Sequence, residues 1–270
     1  LERAQETRRG GGMGNRNNQA GKKRSVRLFV DAPIAAGSEF PLTGTQAHYL
    51  CNVMRFKKGD TLAIFNGQDG EWRAAFAELQ RDVCTLLVET QTRAQKAATG
   101  PVLMFAPIKP ARSAMLIEKA CELGVSDIWP VFTQHSQSRR INLERFRAHA
   151  VEAAEQCGRM DVPTVLPPAP LDAVLDKWPP SRRLMFCDEA GGAPALDALR
   201  AAPLASWAIL VGPEGGFSAK ERTLLTSRPY SVPVSLGPRI LRTETAAIAA
   251  LSLWQAALGD LRGGKTDPIS

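Results

Sequence analysis

The stretch LGPRILRTETAAIAAL, Leu236–Leu251, changes character half-way along. Its second half is rich in alanine, the strongest helix former, and reads as the start of a long helix. Its first half follows the β-branched run SVPVS and holds Gly237, Pro238, Arg239, Arg242, Thr243 and Glu244. Glycine and proline end a strand and turn the chain sharply, and the charged residues give the turn something to bind. The junction has the composition of a ligand loop.

An equivalent loop lies upstream in ILVGPEGGFSAKE, Ile209–Glu221. A buried strand, Ile209–Val211, runs into Gly212-Pro213-Glu214-Gly215-Gly216, and Ser218 and Glu221 then stand at capping-box spacing to start a helix. The glycines let backbone N–H and C=O groups approach a ligand closely. Two glycine–proline loops at the carboxyl ends of strands fit the rule for ligand crevices in α/β sheets. Turns alone do not need a charged pair such as Arg242 and Glu244.

Outward from these loops, strand and helix patterns alternate from Pro101 onward. PVLMFAPI is followed by the helix ARSAMLIEKACELG, which stops at Gly124, and VSDIWPVFT by NLERFRAHAVEAAEQCG. The latter carries the helical stripe Leu143, Phe146, Ala150, Ala153 and Cys157, with Gly158 as its stop. RRLMFCDEA, ALDALR, SWAILVG, SAKERTLLTS and SVPVSLG continue the rhythm. The pattern predicts an α/β domain with a mostly parallel sheet. Between Arg27 and Gln95 the punctuation is that of a small β domain: the strand RLFV, a short helix capped by Thr43 and running through Ala47, Leu50 and Met54, then three strand-like runs separated by turns. RAQKAATGP, Arg93–Pro101, reads as the linker. The expected divisions are 1–26, 27–95, 96–262 and a flexible tail, 263–270.

Charge bears on the partner. The 270 residues carry a formal net charge of +7, but residues 1–27 hold eight Lys or Arg against two Glu, and the rest has 26 basic against 25 acidic groups. Nucleic-acid binding must therefore come from local patches, not bulk charge. Residues 1–26 are expected to be a disordered basic arm or a segment added to the natural chain, since Leu1 opens it and Met13 lies inside. Five scattered cysteines with no C-x-x-C pair argue for reduced thiols in the cytoplasm and against a disulfide framework or zinc site. Neither a metal nor a membrane span is expected. GDLRGGKT, Gly259–Thr266, satisfies the P-loop expression yet follows a helix instead of a strand, so it is set aside. Of the three histidines, only His135, in the loop TQHSQSRR, is a candidate to lie near RNA.

VGPEGGFSAKE and LGPRILRTETAAIAAL, preceded by IEKACELGV and EAAEQCGR, resemble the RsmE family of 16S ribosomal RNA methyltransferases in the SPOUT superfamily. The resemblance covers Arg27 to about Leu261, with RLFV and AHYLCNVMR similar to the family's N-terminal PUA-like RNA-binding domain, a small β-barrel. It implies a C-terminal trefoil knot, S-adenosylmethionine as cofactor, methylation of uridine N3 in 16S ribosomal RNA of the small subunit, and a homodimer. Carried over by position, the cofactor residues are Leu210, Gly212, Pro213, Glu214 and Gly215, then Leu236, Gly237, Ile240, Leu241, Arg242, Thr243 and Thr245. Thr243 or Thr245 is expected to cap the final helix, and the alanines after it to be core.

Transfer to N3 requires the imide proton to leave and the anion on O2 and O4 to be stabilised. Arg242 is the candidate for that anion because a guanidinium offers several fixed donors. Glu244 is either the base or the partner that orients Arg242. Candidate RNA contacts are Arg27, Arg55, Lys57, Arg112, Lys119, Gln156 and Arg159. Two alternatives stay open: a SPOUT enzyme acting on a ribose 2′-hydroxyl, and a non-catalytic assembly factor that only binds ribosomal RNA.

Overall fold

A computed structural model describes residues 26–80, 83–96, 99–202 and 205–262. The expected basic arm up to Ser25 and the tail from Gly263 lie outside the described residues. The first sheet holds β1 (Arg27–Phe29), β2 (Glu39–Thr43), β3 (Thr61–Phe65), β4 (Glu71–Gln80) and β5 (Val83–Arg93), in the order β1-β3-β4-β5-β2. β1 pairs parallel with β3 and the other pairings are antiparallel. Alternate residues of β5, Cys84, Leu86 and Val88, turn inward onto Leu28, Ile64 and Phe76, the period of two that a half-buried strand requires. Register shifts between β4 and β5 curl the sheet.

Three expectations for this part need correction. β2 had no strand signal: Pro41 interrupts it and Leu42 alone is buried, as suits an edge strand. Thr43 stands at the N-cap of α1 (Gly44–His48), but its side chain makes no capping bond. Beyond His48 the helix widens into a π-helical turn, Tyr49–Val53, closed by Met54 N–H donating to the Tyr49 carbonyl, and Met54 itself is exposed. The expected linker also starts later, since Arg93 is the last residue of β5.

The second sheet is parallel throughout. Its elements are β6 (Val102–Phe105), α2 (Pro110–Glu122), β7 (Asp127–Phe132), α3 (Leu143–Cys157), the short β8 (Thr164–Val165) and β9 (Ala169–Pro170), then α4 (Leu171–Asp176) and β10 (Arg182–Cys187). They continue with β11 (Ala193–Pro194), α5 (Ala195–Arg200), β12 (Ser206–Val211), α6 (Ala219–Thr226), β13 (Ser231–Ser235), α7 (Thr243–Ala257) and a 3-10 turn, Asp260–Arg262. α4 had not been expected. The strand order is β11-β13-β10-β12-β6-β7-β8, with β9 on β7.

Helices cover both faces, so the central strands lack a polar side and read as unbroken apolar runs. Leu103, Phe105, Met185 and Ile209 pack against α2, α3, α5 and α7; Val102, Met104, Phe186 and Leu210 pack against α4, α6, Trp178 and Phe217. Of the four alanines expected in the core, Ala246, Ala247 and Ala250 are buried and let α7 lie close against α2 and β12, while Ala249 is half-buried. Between β12 and β13 the chain crosses over β10, and α7 then returns to β12, a path consistent with a trefoil knot.

The two sheets meet through Phe65, Cys121, Ala153 and Ala154, flanked by Phe29 and Cys157. Arg27 locks this seam. Its guanidinium pairs with Glu71 at 2.7 Å and donates to the carbonyls of Ala154 (2.8 Å), Glu155 (3.2 Å) and Arg159 (2.6 Å) at the end of α3. It also stacks over the Phe65 ring. Phe29 N–H donates to Glu155 Oε1, whose carboxyl burial holds above its ordinary pKa, and Arg93 donates to the Gly158 carbonyl. Gly158 ends α3 in the left-handed conformation, as its position predicted.

Candidate active site

All strands of the second sheet point one way, so the loops after β10, β12 and β13 emerge at a common edge. They enclose a cavity of about 480 Å³ walled by residues 187–189, 211–216 and 234–241, with Thr243 and Ala246 of α7 at its back. Pockets of this size hold small cofactors.

The β12 loop is built for close approach. Gly216 N–H donates to the Pro213 carbonyl to close the turn, and Gly216 takes φ +67°, a conformation that a side chain disfavours. The capping box then forms as its spacing predicted: Ser218 Oγ accepts from Glu221 N–H while the Glu221 carboxylate accepts from Ser218 N–H. In the β13 loop Gly237 adopts φ +108°. The two loops are fastened together by Thr243, whose hydroxyl donates to the Gly212 carbonyl at 2.9 Å. That bond replaces the expected cap: the N-cap position of α7 belongs to Arg242, without a side-chain bond, and Thr245 is exposed.

Of the carried-over positions, Gly212, Pro213, Glu214, Gly215, Leu236, Gly237, Ile240, Leu241 and Thr243 line the cavity. Leu210 does not: it is fully buried in the core beneath. Arg242 and Thr245 also stay outside the lining. Arg242 is exposed beside it and makes no hydrogen bond or ion pair to any described residue. Ile240 is the most exposed large apolar side chain described, at 88%.

Glu244 departs from expectation. It is buried, and its partner is Arg112 at 3.6 Å instead of Arg242; its second oxygen is buried with no hydrogen bond. Arg112, from the first turn of α2, also donates to Glu214 Oε1 at 2.5 Å. A single guanidinium therefore joins α2, the β12 loop and the start of α7, and is occupied within the chain. Gln137 contributes a further bond to Glu214, and His135 Nδ1 lies 3.1 Å from the carbonyls of Gly215 and Gly216. Two carbonyls can only accept, so Nδ1 carries the proton.

The third wall, Cys187-Asp188-Glu189, went unrecognised in the sequence. Its signal was the pair Gly191-Gly192 just after another strand end. Burial pushes the Cys187 thiol up to about 12. Asp188 is held by Arg222, with Nε 3.0 Å from both carboxylate oxygens, and this bond raises the guanidinium above its ordinary value.

The candidate RNA contacts separate into groups. Arg27 and Arg159 lie in the seam with side chains 8% and 13% exposed, Arg159 paired with Asp161 at 2.6 Å and donating to the Cys121 carbonyl, so both guanidiniums are engaged within the chain. Lys119 is paired with Glu122 near the end of α2, and Gln156 is exposed near the end of α3, both toward the sheet's opposite edge. Arg55 and Lys57 are exposed on the first sheet's side, Arg55 at φ +57°. Among the described residues no cluster of potential metal ligands occurs, and no helix is long and apolar enough to cross a membrane.

A parallel sheet carrying this cavity at its carboxyl edge, joined to a small β unit, is an α/β architecture shared with RNA methyltransferases of the SPOUT type, as comparison with known proteins shows. The chain matches the RNA methyltransferase domain family over residues 96–255 and the RNA methyltransferase PUA domain family over residues 42–89. Ribosomal RNA small subunit methyltransferase E of Rickettsia conorii is 31% identical over 230 residues, covering 84% of this chain and 93% of the relative. The Bacillus subtilis protein of the same name is 31% identical, covering 88% and 98%. Among solved structures, ribosomal RNA small subunit methyltransferase E of Neisseria gonorrhoeae bound to S-adenosyl methionine superposes with a TM-score of 0.77 at 26% identity, over 87% of this chain and 98% of that one. A Legionella pneumophila methyltransferase in complex with the same cofactor gives 0.77 at 28%, over 88% and 99%. The chain belongs to the RsmE family of RNA methyltransferases.

Proposed function

We propose that this chain methylates N3 of a uridine in 16S ribosomal RNA of the small subunit, using S-adenosylmethionine and working as a homodimer. The observation that carries the reading is the cavity between two glycine–proline loops with an unpaired arginine, Arg242, beside it. The walls suit the cofactor: apolar Val211, Leu236, Ile240 and Leu241 can flank an adenine, while the loop backbones and acidic Asp188, Glu189 and Glu214 can take up its amine and hydroxyl groups. When bound, that cofactor supplies a methyl group on a positively charged sulfur.

The chain's own residues do the rest. Gly212, Gly215 and Gly237 bring backbone groups against the ligand, Thr243 holds the two loops together, and Arg242 stabilises the negative charge that spreads over O2 and O4 as the N3 proton passes to solvent water. Arg112 positions Glu214 and Glu244 and is reassigned from RNA contact to this role. The division into an RNA-docking unit, 27–95, and a transfer unit, 96–262, is part of the same proposal.

Two measurements test it. Labelled cofactor incubated with unmodified small subunits and with free 16S RNA should place label on the base of one uridine; label on a ribose would establish the 2′-hydroxyl chemistry instead. Calorimetry showing no cofactor binding by folded protein would favour a purely RNA-binding factor. Arg112→Ala should weaken cofactor binding by about ten-fold, or about 1.4 kcal/mol, because Glu214 loses the charge that fixes it. Arg112→Lys should fall between, since one ammonium cannot span both carboxylates.

A further inference from the structure

The loop that follows β7 is tied to the cavity's β12 wall through His135 and Gln137, and to the first turn of α6 behind that wall through Gln134. Gln134 N–H donates to Glu221 Oε1 at 2.7 Å, the His135 ring N–H is shared between the carbonyls of Gly215 and Gly216, and the Gln137 amide donates to Glu214. Thr133 and Ser136 close the turn within it. The loop is therefore a ledge fixed relative to the cavity. Its outer end and the first turns of α3 hold Arg139, Arg140, Arg145 and Arg147 against one acid, Glu144. All four arginines are exposed, and none forms an ion pair with a described residue; Arg139 only lies over the Phe132 ring at 5.9 Å. In a chain whose residues beyond Arg27 are almost charge-balanced, this is a local excess carried on from a loop bonded to the cavity's β12 wall.

Exposed, unpaired guanidiniums suit a polyanion, and a strand of RNA presents its phosphates in series. Resting on the function proposed above, we infer that Arg139 and Arg140, continued by Arg145 and Arg147, form the track that grips the RNA backbone next to the target uridine. The ledge sets the distance between that grip and the cavity. A rigid grip at fixed distance from the transfer site selects the nucleotide by position along the strand.

The experiment uses the full chain and transcribed 16S RNA. Filter binding across a series of salt concentrations compares the wild type with Arg139→Gln/Arg140→Gln, and with Lys177→Glu, an equal charge change at an exposed position of the opposite sheet edge. The double variant should bind RNA on the order of ten- to a hundred-fold more weakly near 0.1 M salt, with a log–log salt slope shallower by about two units. Its cofactor affinity should be unchanged, and Lys177→Glu should bind as wild type. An unchanged slope in the double variant, or an equal loss in Lys177→Glu, overturns the track. Methyl mapping separates the two ideas: a wild type that binds RNA through these arginines yet marks no uridine removes the proposed function and leaves the track. A wild type that marks its uridine while the double variant keeps its slope removes the track alone, and one that binds no RNA removes both.

Discussion

Arg242→Ala is expected to lower methyl transfer at saturating cofactor and RNA by about 10²–10³-fold, the range found when one donor to a developing anion is removed. The side chain is exposed and unpaired, so its loss breaks no contact within the chain, and the melting temperature should stay where it was. Its position at the N-cap of α7 is what makes it useful. The backbone there is fixed by the Thr243 bond to Gly212, so the guanidinium projects from a rigid point. The discriminating measurement is single-turnover transfer on 16S RNA alongside thermal unfolding. Turnover within a few-fold of wild type would end the assignment of Arg242 to chemistry. Arg242→Lys should recover part of the rate, since the charge returns without the forked donors.

Arg27→Ala should produce the largest loss of stability. Both Arg27 and Glu71 have side chains only 8% exposed, and removing the guanidinium leaves the buried carboxylate with only the longer Arg93 contact at 3.5 Å and the Thr92 hydroxyl at 3.1 Å. Breaking a buried pair of this kind costs about 3–5 kcal/mol. The variant would also orphan three carbonyls at the end of α3, where a cation is favoured by the helix dipole. For a chain of this size each kcal/mol lowers the melting temperature by about 2–4 °C, so a drop of roughly 6–20 °C is expected. Calorimetric unfolding checks it, and a shift under about 3 °C would show the seam to be held by its apolar contacts alone.

The features legible in the sequence are those written locally. Gly158, the Ser218–Glu221 capping box and the two glycine–proline loops depend on neighbours a few residues apart, and each formed where its spacing placed it. What stayed hidden depends on partners far along the chain. Arg112 meets Glu214 across 102 residues, and Arg27 meets the end of α3 across more than 120. A charge in a sequence does not announce whether it will face water or another chain segment, which is why Arg27, Arg112 and Arg159 read as RNA contacts. The edge strand Glu39–Thr43 was missed because an edge needs only one buried residue. The third cavity wall was missed because its turn glycines, Gly191 and Gly192, lie beyond the lining residues Cys187, Asp188 and Glu189, with no glycine–proline step or pair of opposite charges to mark a ligand loop.

The cavity's walls come from residues 187–189, 211–216 and 234–241, and its back is α7, which follows every strand of the second sheet along the chain. A chain folded only as far as Arg200 would lack β12, the strand that joins β6 to β10, and with it two of the three walls that hold a methyl donor. Donor binding is thereby a report of completed winding, and saturating donor should slow unravelling of the carboxyl-terminal third, by mass action, without touching the amino-terminal sheet.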